Sequence, residues 1–584
     1  MSKKPKQKQN FQKPSPPQRF QQVLSKTKTL GKLPGKTLRF IPLGGNGQVT
    51  KNMFVYEYEN DIVLVDCGMG FPSEQLYGVD MVIPDISYLR DKKNKIRGLL
   101  ITHGHEDHIG AIPFLIDQLS CPIFATRLTA GLIRNKLKEV NKLNTTTLNE
   151  VQPGQKLRLG VFSAEAFRVS HSIPDSVGWA LQSPLGTTIH TGDYKFDWTP
   201  LDGKVTDVDT LTEYGSKGVF ALMSDCLRSE KPGNTLSEAA IGEKFEEEME
   251  KASGRVLITT FASNISRVQQ AINASIKFHR RVCVIGRSME NNVLTAQNLG
   301  YMSIPKDLLV KQEEVNHIND RNLTLIVAGS QGQPGSALNR IANSDHSFVF
   351  IKSGDVVIFS SDPIPGNQDA VYEMIDNLSR LGANVRYSDI TSDFHVSGHG
   401  AQDELILMLS LTKPKYVVPI SAMHRMMRQY ALLAESTGVP KDNVFIVDEA
   451  GVIEFNSSSA RVVGEIPTEN IFVDGIGVGD VGDVVLRDRK VLAEEGIVVV
   501  ILTVDKVRST LHGEPDIVSR GFVYMKESEQ LIKEATETVK KTLGNGNRIK
   551  NWLTVREKIT NDLERFLYKK TQRRPMVVPV IVDV

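Results

Sequence analysis

Residues 103–108 read His-Gly-His-Glu-Asp-His directly behind the apolar run Leu99-Leu100-Ile101, in a chain with 12 histidines among 584 residues. Imidazole nitrogen and carboxylate oxygen are the ligands of borderline divalent cations such as zinc, at about 2 Å and roughly four or five to an ion. In a loop leaving a strand, His103 and His105 can point the same way while Asp107 and His108 begin a helix that aims back. That geometry can serve two ions about 3.5–4 Å apart. A polar turn with satisfied histidines is the plainer reading for any one of these residues alone; four candidate ligands in six positions favour a metal. Two more donors end strand-like runs downstream, His171 in SHSIP and Asp193 in HTGD. Asp193 could bridge two ions.

The elements that must position these donors follow from periodicity. TLRFIPLGG, MFVYEYENDIVLVDCGMGF and IRGLLITHGH read as β-rich runs broken by Gly and Asn turns. IPFLIDQL and RLTAGLIRNKLKEV have helical spacing, and strands return at KLRLGVFSAEAFRVSHS, GWALQSP and GTTIHTGDY. Strand-rich halves with outer helices predict a layered α/β arrangement with its loops at one sheet edge. From about residue 229 strand and helix alternate, as in a parallel sheet. The Ser-rich, aperiodic stretch 455–467 reads as a linker, and a small α/β domain follows. Within it GVGDVG (477–482) matches a dinucleotide-binding fingerprint, but VVLRDRKVL after it reads as a strand, which excludes that use.

With 40% hydrophobic and 24% charged residues the chain has material for several cores, about three to four domains by length. GIVVVILTV (496–504) is too short to span a bilayer, and no apolar run follows the N-terminal lysines as a secretory signal requires. Four scattered cysteines exclude a zinc ribbon and a disulfide framework and indicate the cytoplasm. Residues 1–36 carry nine Lys, one Arg and no acid, so the rest of the chain is at −8 against a total of +2. Such a tail is expected to be a disordered basic arm, suited to a polyanion or serving only solubility.

HGHEDHIGA, SHSIP and HTGD resemble the successive ligand motifs of the metallo-β-lactamase fold. SDCLRSE, TTFASNISR, GRSM, AGSQGQP, IFSSDPIPGN and HVSGH resemble the β-CASP group of nucleic-acid hydrolases, and DGIGVGDVGDVVLRDRKVL, SRGFVY and TQRRPMVVPVI resemble the C-terminal domain of the ribonuclease J family. The likeness runs from about residue 37 to the end. It implies a metallo-β-lactamase αββα sandwich (37–228 and 391–454), an inserted β-CASP parallel α/β domain (229–390), the linker 455–467 and a C-terminal oligomerisation domain (468–584) behind the tail 1–36.

It further implies 5′ to 3′ exonuclease and endonuclease activity on RNA, with 5′-monophosphate ends preferred and no membrane association, in a homodimer, a homotetramer or a hetero-oligomer with a paralogue. Two divalent ions, zinc first with manganese or magnesium as alternatives, would be held by His103, His105, Asp107, His108, His171 and Asp193. Asp225 would orient a histidine, His399 would bind the scissile phosphate or protonate the leaving oxygen, and Ser263, Ser397, Gly398 and His399 would line a nucleotide pocket, with Arg287 a further phosphate contact. The chain departs from the family pattern at Ser421, where a histidine ligand is usual, and at Gln48 and Thr50, where Glu and Gly are usual; His424 is too far along the chain to inherit the ligand role. These departures keep open a weakly active paralogue that serves as an RNA-binding or structural subunit. A small-molecule hydrolase of the same metal fold needs neither the insertion nor the basic arm.

Overall fold

The computed structural model describes residues 35–583 except 73–75, 365, 391–393, 476, 506–509, 524–527 and 545–551; most of the basic tail therefore lies outside the described residues. The chain forms two compact units, 1–70 with 83–470, and 71–82 with 471–584.

In the first unit two sheets face each other. One has eight strands in the order 460–465, 451–455, 38–44, 53–58, 61–65, 96–100, 123–125 and 148–150; the other has six, in the order 414–420, 219–225, 186–190, 177–183, 162–168 and 156–159. Phe40, Phe54, Tyr56, Val63 and Val65 from the first sheet and Ala164, Trp179, Leu181, Met223 and Val418 from the second share one buried core. Every residue of Leu38–Gly44, Met53–Tyr58 and Asp61–Val65 is buried, so both faces of this sheet are covered. Against the outer face of the second sheet, Leu211, Met408 and Met427 from the helices Val208–Lys217, Gln402–Thr412 and His424–Ser436 pack on Ala180, Ile189 and Leu222. The result is the expected αββα sandwich.

A third sheet interrupts the second. Strands Val219–Asp225 and Pro414–Ile420 pair in parallel, with Asp225 opposite Ile420, and between them the chain builds a five-stranded, all-parallel sheet in the order 281–285, 323–327, 256–259, 356–359 and 384–386. Its three central strands are near-continuous Val, Ile and Leu, as burial on both faces demands. The buried pair Arg255 and Asp355 closes one end with hydrogen bonds of 3.0 and 2.5 Å.

The second unit has a sheet around Ile497–Asp505, which pairs antiparallel with Thr510–Leu511 and Asp516–Arg520 and parallel with Met576–Asp583. Helices Glu529–Leu543 and Trp552–Thr571 supply its core through Ala535, Val539, Ile559, Leu563 and Leu567. A second, three-stranded sheet takes in Met81–Ile83 beside Ile471–Asp474 and Gly477–Val478. None of the described helices is long and apolar enough to cross a membrane.

Two expectations are corrected. Within 455–467, read as a linker, Ala460–Glu465 forms an edge strand antiparallel to Gly451–Phe455. The serines belong to the turn, where the Asn456 side chain accepts from the backbone N–H of Ser458 at 2.9 Å and Ser459 at 2.8 Å. Residues 484–492, read as a strand, lie in the helix Asp483–Glu495. The strands before that helix are antiparallel to each other, so the glycine motif still lacks the parallel βαβ setting of a dinucleotide site.

Trp179 sits at the centre of the sandwich, fully buried, and its indole N–H donates to Ile101 O at 3.2 Å, two residues before His103. Trp179→Ala is expected to lower stability by about 3–5 kcal/mol, read by urea unfolding; Trp179→Phe should cost less but still lose the hydrogen bond.

Candidate metal centre

The loops that follow the strands of both facing sheets converge at one edge. His103 leaves Ile96–Leu100, and the one-turn helix Glu106–Ile109 follows His105. The turn is pinned by backbone bonds to the loops that follow Asp61–Val65 and precede Met53–Tyr58: Cys67 N donates to His108 O at 2.8 Å and Asn52 N to Asp107 O at 2.9 Å. The backbones approach so closely that a Cβ on Gly68 would lie 1.5 Å from Asp107 O, so only glycine fits there. His171 follows Phe162–Arg168, Asp193 follows Gly186–His190, Asp225 ends Val219–Asp225, and His399 arrives from the inserted domain.

These residues meet. His105 Nδ1 lies 3.1 Å from both His103 Nε2 and His171 Nε2. Asp193 Oδ2 lies 3.1 Å from His108 Nε2, 3.7 Å from His103 Nε2, 3.9 Å from His399 Nε2 and 4.0 Å from His171 Nε2. Asp107 Oδ2 is 3.6 Å from His108 Nε2. Donor atoms of His103, His105 and His171, of His103, His108 and Asp193, and of His171, Asp193 and His399 form three groups, each within 4.8 Å. Asp193 Oδ1 is buried with no hydrogen-bond partner among the described residues, an expense that a bound cation would remove. Nitrogen and oxygen donors in this number and closeness fit a divalent metal site.

Outer partners set the rings. His103 Nδ1 lies 3.0 Å from Thr102 Oγ1, His171 Nδ1 2.8 Å from Gly398 O and His399 Nδ1 2.7 Å from Asp225 Oδ2, so in each the Nε2 faces the cluster. A Cβ on Gly398 would come within 2.5 Å of His171 Cε1. Asp66, absent from the candidate ligands, proves central. Its Oδ2 lies 2.8 Å from His108 Nδ1 while Oδ1 accepts from Thr102 N at 2.8 Å. Its φ of 60° turns the carboxylate into the site, a conformation that Asp tolerates better than most residues. Asp66 directly follows the strand Asp61–Val65 at the same sheet edge, where nothing in the local sequence sets it apart from other loop acids.

Burial pushes His105 down to about 3 and drives His103 and His171 well below the usual imidazole range, so the rings stay neutral, each with one nitrogen free for a cation. Burial also opposes charge on His108 and His399, but carboxylates win: Asp193, Asp107 and Asp66 raise His108, and Asp225 with Asp193 raises His399 to about 9. Burial raises Asp107 to about 6.

Not every candidate joins the cluster. Ser263 lies in the loop before the helix Ile265–Lys277 and makes no hydrogen bond to the cluster among the described residues, whereas Ser397 accepts from His399 N at 3.1 Å. Arg287 opens the helix Arg287–Asn298 and is exposed. His395 faces Asp362 at 3.7 Å, and His424 pairs with Asp448 on the surface. Ser421 is buried beside the site, and its hydroxyl donates to Asn52 Oδ1 at 3.0 Å while Asn52 Nδ2 lies 3.2 Å from His108 Nε2. Gln48 donates to Glu449, which also takes Lys51 Nζ at 2.8 Å.

Sequence models of four families match successive parts of the chain: the metallo-beta-lactamase superfamily at 46–216, the ribonuclease J beta-CASP domain at 253–378, a Zn-dependent metallo-hydrolase RNA specificity domain at 384–447 and the ribonuclease J C-terminal domain at 484–584. "Ribonuclease J2" of Bacillus subtilis (strain 168) is 39% identical over 94% of this chain and 99% of its own. "Ribonuclease J 1" of Streptococcus pyogenes serotype M3 is 41% identical over 92% and 96%, and "Ribonuclease J" of Thermus thermophilus 40% over 94% and 96%. A solved structure of a protein of unknown function from Enterococcus faecalis V583 is alike in fold alone, with a TM-score of 0.51 at 13% identity over 73% of this chain and 100% of its own.

Asp66→Asn keeps the shape of the side chain but removes the charge behind His108. Zinc or manganese affinity, measured by calorimetric titration, is expected to fall about 10–100-fold; an unchanged affinity would show that Asp66 serves folding only.

Proposed function

Because the chain belongs to the ribonuclease J family, we propose that it is a metal-dependent ribonuclease that degrades RNA from a 5′-monophosphate end and also cuts internally, in RNA processing and decay. The observation that carries this reading is the Asp193 carboxylate, one oxygen within 4.0 Å of ring nitrogens from four histidines and the other without a partner among the described residues.

His103, His105, His171 and Asp193 would hold one ion, and Asp107, His108 and Asp193 a second. When bound, two such cations lower the pKa of water and neutralise charge that develops on a phosphate under attack. The chain's own groups do the rest. Asp225 holds His399 Nδ1, so Nε2 is directed at the cluster, where it can bind the scissile phosphate or give a proton to the leaving oxygen. Gly398 O keeps the proton of His171 on Nδ1, which frees Nε2 as a donor atom. Ser263, Ser397, Gly398 and His399 would bound the terminal nucleotide. Zinc is the first candidate by its taste for imidazole, with manganese or magnesium as alternatives. Ser421 supplies a hydroxyl, turned to Asn52, where the family pattern has an imidazole; this supports a second ion held more weakly than the first. Four buried free cysteines fit a reducing cytoplasm. Assembly as a homodimer or homotetramer, or with a paralogue, is part of the same reading.

Purified protein should cleave 5′-monophosphorylated RNA, lose the activity on chelation and recover it with Zn²⁺ or Mn²⁺. Asp107→Ala should abolish cleavage, and His399→Ala should lower kcat by about 10²–10⁴-fold. Cleavage that survives chelation and Asp107→Ala would overturn the reading. A 5′-triphosphate should be degraded more slowly than a 5′-monophosphate; equal rates would count against the pocket.

A further inference from the structure

Beneath the site runs a buried ionic chain that touches no ligand atom. Arg267, in the first turn of the helix Ile265–Lys277 of the inserted domain, has no exposed surface. Its Nη2 donates to Glu238 Oε2 at 2.8 Å and Val396 O at 3.3 Å, and its Nη1 to Ser360 O at 2.9 Å, Ser360 Oγ at 2.7 Å and Phe394 O at 3.4 Å. The Ser360 hydroxyl donates to the same Phe394 carbonyl at 2.6 Å. One guanidinium thus grips the irregular segment that leads into Ser397, Gly398 and His399.

The acid paired with it reaches the other side. Glu238 Oε1 lies 3.7 Å from the buried ammonium of Lys195, two residues past Asp193. Lys195 N donates to Ser170 O at 2.8 Å, the residue before His171. Burying two cations and two acids, Asp197 being the fourth, is costly, and neither Arg267 nor Glu238 reaches the reacting atoms. Only an arginine, with its flat fork of N–H groups, can serve a carboxylate and several carbonyls at once; a lysine cannot span them.

We propose that the Glu238–Arg267 pair positions the reaction's histidines: by fixing the Phe394 and Val396 carbonyls it sets Gly398 O against His171 and His399 against Asp225. This rests on the ribonuclease reading of the site. Arg267 is a positioning residue, acting through the 394–399 segment and not on substrate.

The test is Arg267→Lys, which keeps the charge beside Glu238, with Ser360→Ala as a second variant that keeps the ion pair and removes one grip on Phe394. Arg267→Lys is expected to lower kcat on 5′-monophosphorylated RNA about tenfold or more with KM within about threefold of wild type. Amides of 394–400 should exchange faster with deuterium in both variants, and the visible spectrum of the Co²⁺-loaded protein should shift as His171 reorients. Exchange and cobalt spectrum both unchanged from wild type would overturn the proposal, as would a kcat loss with wild-type exchange. If Arg267→Lys does not fold, Ser360→Ala decides, and wild-type exchange at 394–400 in that variant overturns the proposal. Exchange and spectrum involve no RNA, so wild-type protein that fails to cleave RNA would sink the ribonuclease reading separately.

Discussion

A carboxylate in a pocket of imidazoles governs this structure. Asp193 is 4% exposed, with His103, His108, His171 and His399 gathered around one oxygen and nothing on the other among the described residues. Burying that many polar groups without partners is unfavourable. The remaining order at the sheet edge offsets that cost: Asp66 Oδ2 holds His108 Nδ1 and Asp225 Oδ2 holds His399 Nδ1, which turns each Nε2 to the cluster, and burial keeps His103, His105 and His171 neutral. Three neutral nitrogens and a carboxylate are what a divalent cation accepts, so the same constraint that strains the polar cluster prepares it for metal.

The inserted sheet can be so large because it enters and leaves between two strands already bonded to each other. Val219–Asp225 and Pro414–Ile420 stay in parallel register to their ends, so the sandwich is undisturbed. Asp225 lies at the exit, and the segment that carries Gly398 and His399 at the return. The two meet again at the metal site through the 2.7 Å contact of His399 with Asp225. The insertion thereby joins the site's chemistry to a domain with its own core, and Arg267 ties that core to the returning segment.

The candidate ligands were legible because the chemistry is concentrated: three histidines and an aspartate in six positions leave few other readings, and the apolar run before them marks a strand. Asp66, Thr102 and Asn52 were not, since each is an ordinary loop residue until the fold brings it to a ring nitrogen. The serine-rich composition of 455–467 misled because Asn456 and the serines after it make a turn, and turns share their residue types with linkers. The helix 483–495 read as a strand because Val484, Val485 and Leu492 are β-favouring or apolar yet 61%, 38% and 41% exposed, so no apolar stripe disclosed the helical period. The recruitment of 71–82 into the C-terminal unit depends on pairing across hundreds of residues, which local pattern does not carry.

The most direct test of this account is anomalous diffraction at the zinc edge from crystals of metal-loaded protein. The account predicts a peak about 2 Å from nitrogens of His103, His105 and His171 and from an Asp193 oxygen. Zinc bound only away from this cluster, or well-ordered histidines with no peak among them, would contradict it.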